Sequence, residues 1–161
     1  MKPHLLYLIL SISPLISFAQ AKPNQAKMEH MESKSSKENL SLVKNFIHDL
    51  ANEENALDVI LSQYVTVNDP SDEMYDYLEV SLQEIRINLM TKKLENIQYK
   101  TYSQLPRKEV RDIDPEDMDV NNMYFLYHKD RLVTSIYVED GKIASFTLVS
   151  KGEEMAHFVT Y

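Results

Sequence analysis

The 161-residue sequence contains no cysteine. That excludes disulfides, a thiol nucleophile and thiolate metal ligation, and leaves no thiol to carry a lipid anchor. Glycine is almost as scarce, with only Gly141 and Gly152. Both sit where turns are expected, so none remains for a phosphate-cradling loop, a dinucleotide fingerprint or a G-x-S-x-G elbow. Nucleotide-dependent and serine-hydrolase chemistries are therefore disfavoured. Positive charge is short too: 17 Lys and Arg face 25 Asp and Glu, for a net charge of -8. A nucleic-acid binder needs a basic stripe, and so does a protein that lies on an anionic membrane. Neither partner is expected.

Long apolar runs are also missing. The longest, Leu5 to about Ile16, is broken by Pro14 and falls short of the roughly twenty residues that span a bilayer. It follows Lys2 and precedes Ser17, Ala19 and Ala21, which fit the small-x-small pattern of a secretory cleavage site. Residues 1–21 therefore read as a signal peptide, with an uncleaved anchor as the rival. The mature chain is expected in the periplasm or outside the cell, free of the membrane, and loss of Lys2 takes its net charge from -8 to -9.

Residues 22–37 are rich in Lys, Ser and Glu without apolar period, which suits a flexible linker. His30 between Met28 and Met31 reads as part of that solvated stretch rather than a copper ligand. Residues 38–161 are expected to form one α+β domain. Ser35 with Glu38 offers a capping box, and Leu40, Val43, Phe46, Ile47 and Leu50 follow at helical spacing. Asn55 can cap a second, short helix burying Leu57, Ile60, Leu61 and Tyr64. Val65 to Val67 is either an edge strand or the exit of that helix. Asp69-Pro70 opens the longest helix, with aspartate at the N-cap, proline at the first helical position, and Met74, Leu78, Leu82, Ile85 and Leu89 as its apolar stripe. A strand from Asn96 to Ser103 ends before Pro106, and Lys108 to Asp119 is a charged connector.

Val120 to Tyr161 reads as a meander of four antiparallel strands, with turns at Lys129-Asp130, Asp140-Gly141 and Ser150-Lys151-Gly152. Several strands are apolar on both faces, as in Leu132, Val133, Ile136, Tyr137 and Val138. A sheet with one wet face would not need this. The second face either closes a cavity, meets another protomer, or is a tyrosine-rich surface.

Two helices, a short strand, a long helix and a meander, together with Asp69-Pro70 and the Asp140-Gly141 hairpin, resemble the nuclear transport factor two-like superfamily, the cystatin-like or SnoaL-like cone. The resemblance covers about Leu40 to Tyr161. It implies N-terminal helices packed on a curved antiparallel sheet that wraps the long helix and leaves a pocket at its open end. It also makes sheet-face dimers an expectation. No catalytic motif of the group can be placed on these residues.

Three constellations remain. Asp112, Asp114, Glu116, Asp117 and Asp119 could gather oxygens around calcium, but the glycine of a tight ligand loop is missing and Pro115 stiffens the middle. A solvated acidic loop is the reading kept. His48, His128 and His157 show no metal-ligand spacing, so no metal and no cofactor is expected. The ten tyrosines can pack at the core margin or line a pocket. If there is a pocket, Tyr64, Met74, Tyr99, Tyr127, His128 and Tyr137 are its expected lining. The functional expectation is an exported, non-enzymatic domain that binds a small apolar molecule, a peptide or a second copy of itself. The alternatives are an isomerase- or dehydratase-type enzyme in a cone pocket, and an acidic interaction or immunity-type protein.

Overall fold

A computed structural model describes residues 23–150 and 155–161, with side chains from residue 34 onward. The expected signal peptide, the His30 group and most of the Ser150-Lys151-Gly152 turn lie outside the described residues or side chains. The fold is α+β: helices α1 (Pro23–Ala51), α2 (Leu57–Tyr64) and α3 (Asp72–Met90) precede a four-stranded antiparallel sheet. Its strands are β1 (Ile97–Thr101), β2 (Met123–His128), β3 (Arg131–Glu139) and β4 (Lys142–Ser145), in the order β1-β2-β3-β4. A short helix α4 (Arg107–Val110) lies between β1 and β2, and β5 (Leu148–Val149) pairs with β6 (His157–Phe158) as a separate ribbon.

The helices form where the apolar spacing places them, but their starts differ. α1 is helical from Pro23, so it runs through most of the stretch expected to be a flexible linker and does not begin at Ser35. Asn55 does not cap α2. The cap position is Ala56, and the Asn55 amide instead donates to the Asp49 carbonyl at 3.0 Å. At α3 the N-cap is Ser71, whose hydroxyl accepts from the Met74 amide at 3.1 Å. Asp69 and Pro70 lie before the helix. Serine and aspartate are near-equivalent caps, and here the serine is the residue one position before the first helical turn.

The meander also differs from its expected membership. The sheet takes in β1, which pairs with β2 in the register Tyr99 to Leu126. Its turn between β3 and β4 carries Asp140 at φ 49° and Gly141 at φ 72°, both left-handed, as a tight two-residue hairpin requires. The last strand leaves this sheet altogether and folds back with β5.

Strand alternation then sorts side chains between two cores. Ile97, Tyr124, Leu126, Ile136, Val138 and Ile143 pack against Val43, Phe46, Leu50, Leu61, Leu78, Leu82 and Leu89 of the three helices. On the opposite face Met123, Phe125, Tyr137 and Ala144 pack against Leu105, Val110, Ile113 and Phe158. The cover on that side comes from the charged connector and the β5-β6 ribbon, held together by the Ala156 amide donating to Asp112 carbonyl and the Asp114 amide to Ala156 carbonyl, both 2.8 Å. This is why the strands are apolar on both faces: the described residues cover both.

A buried cation ties the helices together. Arg86 on α3 is 7 % exposed, and its Nε donates to the Leu50 carbonyl at 2.8 Å and its Nη2 to the Asn55 carbonyl at 2.6 Å. Leu50 sits in the last turn of α1, where carbonyls are left without intrahelical partners and the helix dipole is negative. One guanidinium thus satisfies orphan acceptors and positions α1 against α3.

The two-sided cover makes Phe158 and its neighbour Val159, just past β6, unequal. Phe158→Ala is expected to lower unfolding free energy by about 3 kcal/mol through a core cavity, while Val159→Ala, at an exposed site, changes it by less than about 0.5 kcal/mol. Gly141→Ala meets no steric neighbour and should still cost about 1 kcal/mol, because the left-handed backbone penalises a Cβ. Urea denaturation of the three variants measures all of these.

Candidate functional site

The six residues expected to line a pocket do not converge. Tyr64 is buried in the helix-side core, edge-on to Phe46 at 5.6 Å between ring centroids. Its hydroxyl donates to Asp49 Oδ2 at 2.5 Å. Met74 and Tyr99 pack half-buried against the same core, with Lys44 Nζ 5.5 Å from the Tyr99 ring. Tyr127 and Tyr137 point to the opposite side of the sheet. Tyr127 donates to Glu109 Oε2 at 2.8 Å and lies 4.8 Å from Lys100 Nζ, and Tyr137 donates to Glu139 Oε1 at 3.4 Å. His128 ends β2 opposite Ile97 and belongs to neither cluster. Alternation put these residues on different faces, and the sheet between them is filled. The space between α3 and the sheet, where a cone would hold its ligand, contains Leu78, Leu82, Leu89, Ile136 and Val138.

The tyrosine hydroxyls act as structural bonds. Burial, then the bond to Asp49, pushes Tyr64 up to about 12. Burial, then Glu109, does the same for Tyr127. Tyr161 is also pushed up to about 12, chiefly by burial. Its hydroxyl accepts from the Phe146 amide at 3.0 Å and bonds Thr147 Oγ1 at 2.6 Å, and its own carbonyl accepts from the Asn68 amide at 2.8 Å. Each of these hydroxyls is held by a partner within the fold.

Clefts do occur at the end of the molecule near His128. One of about 550 Å³ is lined by Asn88, Lys92, His128, Lys129, Arg131 and Leu132, and a second of about 310 Å³ by Lys44, Ile47, His48, Leu94 and Tyr99. In the first, Lys129, Asp130, Arg131 and Leu132 are exposed, so a ligand there would keep a wet side. The Lys92 ammonium is already tied to the Asn88 carbonyl at 2.6 Å and to Thr91 Oγ1 at 3.2 Å, across the C-terminus of α3. No group of three or more His, Asp and Glu able to hold a metal occurs among the described residues. In the acidic loop, Asp114 Oδ1 accepts from the Glu116 amide at 2.9 Å and Asp119 Oδ1 from the Asn121 amide at 2.9 Å. Those carboxylates organise the loop.

The surface that stands out is the outer side of α3. Opposite its buried Leu78, Leu82 and Leu89, the helix exposes Tyr77 (48 %), Val80 (62 %), Ile87 (55 %) and Met90 (50 %). Their spacings of three, seven and three keep successive members adjacent on a 3.6-residue helix. Every exposed charge on α3 is negative: Asp72, Glu73, Asp76 and Glu84, with Glu79 half-buried, face one arginine, Arg86, and it is buried. More widely, residues 45–91 hold ten Asp and Glu and only that one Lys or Arg. Single exposed apolar side chains are ordinary, but four in register on one helix, with one sign of charge, are not.

Reading α3 from its core stripe alone misses this second stripe. The signal for it was present as Val80 and Ile87 at a seven-residue interval, and as the lysine- and arginine-free run before Arg86. Comparison with known protein families, with curated proteins and with solved structures returned no match. The site therefore rests on its own chemistry.

The buried hydroxyl of Tyr161 gives a titration test. Its raised value means that its contribution to stability is complete below pH 10, the ordinary tyrosine value, and is lost as pH climbs toward about 12. Tyr161→Phe is expected to cost about 1 to 2 kcal/mol at neutral pH, since it leaves the Phe146 amide without its acceptor. It should also remove part of the alkaline loss of stability, read by denaturant melts at increasing pH alongside tyrosinate absorbance.

Proposed function

We propose that this chain is an exported, non-enzymatic binding domain on a cone-like α+β plan, and that it recognises another polypeptide through the outer side of α3. The observation that carries this reading is the exposed row Tyr77, Val80, Ile87 and Met90 on a helix whose opposite side is locked into the core. A folded surface seldom keeps such a row without a partner to cover it. The signal-like leader supports export. Against a small apolar ligand in the cone stands the filled space beneath α3. Against a sheet-face dimer stands the cover that the connector and the β5-β6 ribbon place on the second face.

Binders selected from a random peptide library against the folded protein test the reading. They are expected to lose about tenfold or more in affinity for Ile87→Asp, as truncation or charging of an interface anchor does. Leu132→Asp, an exposed apolar site off this helix face, should leave them unaffected. Binders that ignore Ile87→Asp and depend on Leu132 would move the site to the His128 cleft and reject α3.

A further inference from the structure

The outer side of α3 carries a pattern that specifies its partner, given that this face is the recognition surface proposed above. Tyr77, Val80, Glu84, Ile87 and Thr91 follow one another at spacings of three, four, three and four. That is the a/d repeat of a two-helix seam, and all five side chains are exposed. Tyr77, Val80 and Ile87 are the repeat's large apolar members, Glu84 sits between Val80 and Ile87, and Thr91 closes it. It ends at Thr91, the C-cap of α3, and spans about 20 Å at 1.5 Å per residue, the length of a short amphipathic helix. Glu73 and Asp76 continue the negative charge beyond Tyr77, and the nearest cation on the helix, Arg86, is turned inward onto the Leu50 and Asn55 carbonyls.

We infer that α3 docks a cationic amphipathic helix of another protein, which lays an apolar stripe along Tyr77, Val80 and Ile87 and sets a lysine or arginine against Glu84. A carboxylate in the centre of a mainly apolar seam is desolvated when the seam closes, and desolvation without a counter-charge is costly. Two parallel copies of α3 aligned on this stripe would bring Glu84 against Glu84 and the flanking carboxylates together, and antiparallel copies, in which a positions meet d positions, would bury each Glu84 against Val80 of the other without a counter-charge. Both arrangements oppose association. The same feature that admits a basic helix excludes a second copy of this chain, which is the registry role that a single polar residue plays in coiled coils.

Three synthetic helical peptides of about twenty residues with one shared leucine stripe and Lys, Gln or Glu on the flanks and centre separate the outcomes. Binding to the mature chain is measured by fluorescence anisotropy at about 50 and about 300 mM salt, where the screening length differs about two-fold, and located by amide chemical-shift changes. The Lys peptide is expected to bind at least tenfold more tightly than the Gln peptide at low salt, to weaken as salt rises, and to shift Val80, Glu84 and Ile87. Glu84→Lys should invert the preference toward the Glu peptide, and unchanged shifts elsewhere confirm that the variant is folded. Equal, salt-independent binding of the Lys and Gln peptides on α3 would leave α3 as the recognition face and overturn the cationic partner. Failure of all three peptides to shift α3 would overturn both. Concentration-dependent shifts of Val80 and Ile87 in the protein alone would overturn the exclusion of a second copy.

Discussion

The structure depends on a sheet that is apolar on both faces and must be shielded on both. Met123 to Leu126 of β2 are buried without a break, so every second side chain faces α1, α2 and α3 and every other one faces away from them. A sheet of this kind is stable only in the middle of three layers. Here the third layer is made of short pieces. It is the segment from Leu105 to Ile113, with the one-turn helix α4, and the β5-β6 ribbon that ends in Phe158, whose ring packs on those of Phe125 and Tyr137 with centroids 6.1 Å apart. Hydrophobic contact does not require regular structure, only area removed from water.

Both faces of the sheet are filled by side chains of the chain itself. The polar groups that are buried serve the packing: Arg86 closes the α1 terminus, Tyr64 reaches Asp49, and Tyr161 bonds Thr147 and the Phe146 amide. The outer side of α3 combines large apolar side chains with a charge of one sign, and the inward turn of Arg86 is what leaves that sign unopposed. A structural contact inside the helix pair thus shapes the electrostatics of its surface.

Much of the fold could be read from residue order. The apolar spacing in Leu78, Leu82 and Leu89 places α3, and Asp140-Gly141 places the β3-β4 hairpin with both residues at positive φ. The caps could not, because Asp69, Ser71 and Asn55 are each competent and only the path of the chain decides which one meets free amides. The candidate site was least legible. Tyr64, Met74, Tyr99, Tyr127, His128 and Tyr137 share a chemical type and no common face, since strand parity sends Tyr99 and Tyr127 to opposite sides of the sheet once β1 pairs with β2.

What the amino-acid order determined by itself is local and periodic: an α+β chain, helices with one apolar stripe, strands with two, turns at the glycine it can spare, and no cysteine, phosphate loop or basic stripe. What only the tertiary structure decided is which apolar stripe is covered. Both stripes of the strands find cover within the chain, whereas the row of Tyr77, Val80, Ile87 and Met90 finds none among the described residues. Side-chain periodicity records that a residue faces one way along its own element, but burial depends on what the rest of the chain brings to that side.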